Sequence, residues 1–144
     1  MHVRRVVAGN PNTPQQVLAR LSDDPIFHIR RRVAENPKTA VEILSKLALD
    51  GHADVRLAVA ENPSTPAEVL AVLALDEDTD VRFGVAENPH MPEDILLQLS
   101  EDDNPYVRCR AMKTLHILHP GSPSRIRTMT QSSFHPEGRL KASK

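Results

Sequence analysis

"AVAENPSTP", residues 58–66, sets a small apolar run against an Asn-Pro break and follows it at once with Thr-Pro. Related stretches stand at 6–14 ("VVAGNPNTP"), 32–40 ("RVAENPKTA") and 84–92 ("GVAENPHMP"). Aligned on the Val-Arg or Ile-Arg before each, the units begin at Val3, Ile29, Val55, Val81 and Val107, 26 residues apart with no insertion. Internal repetition at a period of about twenty to fifty residues marks a solenoid, in which each unit buries its apolar face only against its neighbours.

The unit running from Val55 to Asp80, "VRLAVAENPSTPAEVLAVLALDEDTD", shows what such a repeat must be physically. Val55, Ala58 and Val59 stand at i, i+3 and i+4, one apolar face of a helix of about two turns, or of a 3₁₀ segment given so short a run. Pro63 stops it: the residue before a proline is driven from the α region, so Asn62 is extended and its amide is free to bond the bend. Thr65-Pro66-Ala67-Glu68 then reads as a capping box opening a second helix, repeated by Thr39 with Glu42 and Thr13 with Gln16. Met91 breaks that pattern in the fourth unit. Val69, Leu70 and Leu73 point inward, matched by Val17, Leu18 and Leu21, by Ile43, Leu44 and Leu47, and by Ile95, Leu96 and Leu99. Acidic loops close each unit, and nothing alternates with the period of two that a strand needs.

These residues resemble the leucine-rich repeat variant family over residues 3 to about 118. The resemblance implies an all-α, right-handed solenoid alternating α and 3₁₀ helices, without a sheet. Some members carry a cysteine-rich N-terminal module holding an iron–sulfur cluster. Here the N-terminus is already a repeat and the sole cysteine is Cys109, so no iron–sulfur function carries over.

The fifth unit keeps Val107-Arg108 and loses Asn-Pro. Met112, Leu115, Ile117 and Leu118 continue as one helix toward Pro120, an atypical cap of the kind solenoids require. The solenoid is thus expected over 1–118, with four full units and a partial one. Residues 119–144, rich in Ser, Pro and basic side chains, read as a disordered basic tail.

With 40% apolar but only 3% aromatic residues among 144, and no Trp, the core must be Val, Leu, Ile and Ala. One cysteine permits no intramolecular disulfide and points to a reducing compartment. No apolar run reaches the roughly 18 residues that span a bilayer, and no signal-peptide core follows Met1, so a cytoplasmic protein is expected. The net charge of −1 conceals segregation: residues 1–32 carry +4, 33–104 carry −12 and 105–144 carry +7. An acidic belt between basic ends disfavours wrapping a polyanion along the whole stack.

Arginine recurs at Arg4, Arg30, Arg56, Arg82 and Arg108. Guanidinium forks bind phosphates and carboxylates bidentately, which makes Arg30, Arg56, Arg82 and Arg108 the candidate binding residues. Against that stands a structural reading, because an Asp lies six residues before four of the arginines (Asp24, Asp50, Asp76, Asp102) and offers each a partner. Asn10, Asn36, Asn62 and Asn88 read as turn architecture. Asp76, Asp78, Asp80 and Glu87 match positions 1, 3, 5 and 12 of a calcium loop, but Val81 replaces the required glycine and the spacing follows from the repeat itself. His116 and His119 lack further ligands of zinc spacing. Cys109, between two arginines, lacks a base and reads as a buried repeat residue. No catalytic constellation appears, so no enzyme activity, metal or cofactor is expected.

The resulting expectation is a non-catalytic scaffold that binds a protein or peptide through the solenoid surface, a basic segment suiting the acidic belt. The alternative is nucleic-acid binding through the arginine column and the basic ends. Few aromatics (Phe27, Phe83, Tyr106, Phe134) are present for base stacking.

Overall fold

A computed structural model of the chain describes residues 2–118; the expected basic tail and His119 lie outside the described residues. Helices alternate in two classes. The first helices of successive units are α1 (His2–Gly9), α3 (Phe27–Glu35), α5 (Ala53–Glu61), α7 (Thr79–Glu87) and α9 (Pro105–Leu118). The second helices are α2 (Gln15–Leu21), α4 (Val41–Leu47), α6 (Ala67–Leu73) and α8 (Glu93–Leu99). No strand occurs among the described residues.

Both classes are α-helical, which decides the first helix for α where the sequence left α or 3₁₀ open and corrects the α/3₁₀ alternation that the resemblance implies. The reason lies in the acidic loops. Asp78 accepts from the N–H groups of Asp80 and Val81, and Asn104 from those of Tyr106 and Val107, so the helix is nucleated before the repeat's valine. Nine residues then close enough i→i−4 bonds for an α-helix, and i→i−3 bonds mark the ends, as from Asn62 N–H to Val59 O at 3.2 Å.

The Asn-Pro bends behave as the sequence dictates. Asn62 is extended at φ −77°, ψ 125°, and its side-chain oxygen accepts from Ser64 N–H at 2.8 Å. The capping box, however, does not form. The second helices start one residue later than that reading requires, with Pro14, Ala40, Pro66 and Pro92 at the N-cap and no side-chain cap. The threonine hydroxyls turn the other way: Thr39 donates to Val33 O and Thr65 to Val59 O, each at 2.7 Å and buried. A buried carbonyl at the end of the preceding helix is a more demanding acceptor than a helix start that solvent can reach.

Successive first helices pack directly on one another, and each second helix wedges between its own first helix and the next. Ile43, Leu44 and Leu47, Val69, Leu70 and Leu73, and Ile95, Leu96 and Leu99 are all buried, as are Val33, Val55, Val59, Val81 and Val85. In the first unit Val17 and Leu21 are only half-buried, because one side of the stack is open there, although Leu18 is fully buried. The fifth unit runs as one 14-residue helix that buries Val107, Ala111, Thr114 and Leu115 over α7 and α8.

In a solenoid, stability is a sum of unit and neighbour terms. Leu73→Ala, in a column with neighbours on both sides, is expected to cost about 2–5 kcal/mol, and Leu21→Ala in the same column less than half of that. Urea melts of the two variants check this; equal losses would contradict stacking in this order.

Candidate interaction surface

The arginine column forms an inter-unit ladder. Arg30 donates through Nε to Asp50 Oδ2 at 2.7 Å and through Nη2 to Oδ1 at 3.1 Å, while Nη1 reaches the carbonyl of Asp24 at 2.8 Å. Arg56 repeats this with Asp76 and the Asp50 carbonyl, and Arg82 with Asp102 and the Asp76 carbonyl. Arg4 reaches Asp24 at 2.8 Å. The carboxylate partner is therefore the aspartate twenty residues ahead, in the loop that closes the same unit, and the aspartate six residues before, in the preceding unit, supplies its backbone oxygen instead. Each of these aspartates also accepts from the N–H two residues on, as Asp50 does from His52 at 2.9 Å, which fixes the carboxylate for the incoming fork. Three of the four candidate binding arginines thus spend their forks inside the stack, whereas among the described residues Arg108 makes only the carbonyl bond, to Asp102 at 2.7 Å.

At the opposite end of the first helices the asparagines bridge backward. Asn36 Nδ2 donates to the carbonyls of Ala8 at 2.9 Å and Asn10 at 3.0 Å, Asn62 to those of Ala34 and Asn36, and Asn88 to that of Ala60. In the fifth unit Thr114, which occupies the asparagine position, donates to Ala86 O at 2.6 Å. The sequence reading took the bend within the unit from these residues and missed the bridge between units. The available signal was the invariable alanine 28 residues earlier: only a small side chain lets the next backbone come so close.

Electrostatics follow this geometry. Burial alone would lift the Asp50 carboxyl, but the Arg30 hydrogen bond, the His52 N–H and the Arg30 charge together hold it below the usual carboxylate value. Asp102 is lowered likewise by Arg82 and Asn104 against burial. The Arg30, Arg56 and Arg82 guanidinium groups are raised in turn by their aspartates.

The outward face of the first helices is where the units differ. Between α1 and α3 lies a cleft of ≈ 600 Å³ lined by His2, Arg5, His28, Arg31, Arg32 and Glu35, in which Arg32 Nε is buried without a partner. The next cleft, between α3 and α5, is lined by Arg31, Glu35, Asp54, Leu57 and Glu61. Beyond it Leu57 lies across Gly84, whose missing Cβ would stand 2.5 Å from the leucine Cδ1. Arg110 then sits 5.9 Å over the Phe83 ring and 4.0 Å from Glu87. Charge therefore changes along one continuous surface, from arginines through the carboxylates of Glu35, Glu61 and Glu87 to Arg110. Burial and the charges of Glu87 and Glu35 push the Glu61 carboxyl upward, with Arg31 opposing.

Other candidates resolve locally. Asp76 is taken by Arg56 and Asp78 caps α7, while Glu87 at the far end of α7 lies about 12 Å along the helix axis, so the calcium template does not converge. Cys109 is exposed, correcting the expectation of a buried residue: it aligns with Leu57 and Phe83 in the outward column, not with the inward Val107 and Ala111. His116 is exposed on α9.

Identical helix pairs, bridged by Arg–Asp at one end and Asn–carbonyl at the other, define a helical-repeat solenoid. The model of the leucine rich repeat variant family matches residues 1–26, 53–78 and 79–104, over half of the sequence, and the chain belongs to that family. No curated protein and no solved structure matches the chain. The intervening unit keeps the same framework in Arg30, Asn36, Thr39 and Asp50. No helix among the described residues is long and apolar enough to cross a membrane.

Two stability measurements test the electrostatics. A carboxyl lowered on folding stabilises above its unfolded pKa near 4 and loses that contribution as pH falls through the folded value. Asp50→Asn is therefore expected to cost about 1–3 kcal/mol at pH 7, with the gap to wild type closing below about pH 4. Glu61 is raised, so the sign reverses: its ionisation opposes folding above its folded pKa. Glu61→Gln should raise Tm at pH 7 and leave it unchanged near pH 3.5; a lowered Tm at pH 7 would show that the column is not self-repelling.

Proposed function

We propose that the protein is a non-catalytic interaction scaffold whose row of first helices receives a protein or peptide segment bearing basic side chains. The observation that carries this is the stacked column of Glu35, Glu61 and Glu87 beside half-buried Leu57 and Phe83, on the one face where the units are not held alike. A cationic side chain seated there relieves repulsion that the fold otherwise tolerates, and the leucine and phenylalanine supply apolar contact at the same place. Family membership supports a repeat scaffold, and an extended surface of stacked units is the usual binding feature of solenoids. The basic cleft at Arg5, Arg31 and Arg32 supports nucleic-acid binding less well, because Arg31 and Arg32 already reach Glu35 at 2.8 and 3.3 Å.

Selection of displayed random peptides on the full chain tests the reading. Enriched peptides are expected to carry Lys or Arg beside apolar residues, and to lose about tenfold or more in affinity on Glu61→Lys or Glu87→Lys. Duplex DNA and single-stranded RNA are expected to bind only weakly near physiological salt. Tight, sequence-independent binding of either, lost on replacing Arg5, Arg31 and Arg32 with Ala, would overturn the proposal in favour of a polyanion partner.

A further inference from the structure

The outer face of α9 carries a site of different chemistry. It forms an open groove of ≈ 580 Å³ lined by Arg108, Cys109, Met112, Lys113, His116 and Ile117, with Ile117 largely exposed. In each interior unit the corresponding arginine is oriented by its Nη1 bond to a loop carbonyl of the preceding unit and closes its fork on an aspartate twenty residues ahead. Arg108 has the same orienting bond, to Asp102 O at 2.7 Å, while its Nε and Nη2 meet no carboxylate among the described residues. The molecule thus shows three times, in Arg30, Arg56 and Arg82, what this side chain binds when so held.

We propose that this face docks a partner segment carrying an aspartate or glutamate beside apolar residues, with the carboxylate on the Arg108 fork and the apolar side chains on Met112 and Ile117. Charge complementarity selects the partner, since Arg110 and Lys113 line the same groove as Arg108 and favour an acidic segment. Another unit of the same register fits poorly, because Met112 stands where Ala8, Ala34, Ala60 and Ala86 are fully buried by the following unit. Methionine instead offers an adaptable apolar contact. Residues 119–144 hold one acid, Glu137, among five Lys and Arg, so they too match the basic face badly. This site is independent of the glutamate column and takes the opposite charge.

The probe is a synthetic peptide of the protein's own sequence from Leu75 to Glu87, which sets acidic residues beside Val81, Phe83 and Val85, titrated into the isotope-labelled full chain. Amide shifts are expected at Cys109, Met112, Lys113 and Ile117, together with a shift of the Arg108 Nε–H. Arg108→Lys keeps the charge and loses the fork, and should weaken binding about tenfold with the fold intact by circular dichroism. The same peptide with Asn and Gln for its acids should not bind. No shift at α9, equal binding by the amide peptide, or equal affinity for Arg108→Lys would overturn the proposal. So would sedimentation showing self-association through Arg108, or contacts between α9 and residues 119–144 in the peptide-free chain.

Discussion

The structure depends on a constraint that no unit can meet alone: at each end of its first helix a side chain reaches a backbone carbonyl across the boundary between units. At the loop end, Asp50 is nearly out of solvent, its carboxylate held by the fork of Arg30 in its own unit and its carbonyl by Arg56 of the next. At the bend end, the carbonyl of Ala34 lies under the following unit and is satisfied by Asn62. Burying either group unpaired would cost more than the hydrogen bond itself returns. Stacking is therefore fixed in register by polar geometry. Leucine columns alone would stabilise contact between units and tolerate a slide.

The same constraint sets which side chains are small. A bridge of 2.6–3.0 Å from an asparagine amide to an alanine carbonyl one unit back brings two backbones together, so the residue between them must be alanine at Ala8, Ala34, Ala60 and Ala86. The final bridge survives with Thr114 in place of asparagine, because a hydroxyl is also a donor of the right reach. Met112 then marks where the demand for close approach ends. Packing and hydrogen bonding at the fifth unit thereby keep Leu115 buried although the Asn-Pro bend is gone.

Much of this was legible in the sequence. The 26-residue period fixed the number and order of units, and the triads of the second, third and fourth units named the core, while of the first only Leu18 is fully buried. What escaped was everything that reaches beyond the local segment. Thr65 followed by Pro66 and Glu68 has the local form of a capping box, yet a buried carbonyl at Val59 claims the hydroxyl. Asp50 lies closer in sequence to Arg56 than to Arg30, yet its carboxylate meets the more distant arginine while its carbonyl serves the nearer one. Local patterns assume that a side chain serves its own segment, and in a solenoid the neighbouring segment competes on equal terms. Cys109 was misplaced for the simpler reason that a nonpolar side chain was taken as buried without asking which column it stands in.

The columns that stacking holds and those it leaves free can now be told apart inside this one chain. Arginine, asparagine, alanine and valine recur wherever a unit touches its neighbour through the geometry above. The outward positions instead run Arg5, Arg31, Leu57, Phe83 and Cys109 in one column and Gly9, Glu35, Glu61, Glu87 and Lys113 in another. Nothing in the packing asks for a run of three stacked carboxylates, and the upward push on Glu61 means that the fold bears a small cost for them. A side chain that weakens its own fold while facing solvent beside half-buried Leu57 and Phe83 fits the proposed reading, in which a basic segment meets it from outside. The charge pattern along the first helices is therefore a property of the surface and not of the stack, basic at α1 and α3, acidic and apolar along Glu35, Leu57, Glu61, Phe83 and Glu87, and basic again at α9.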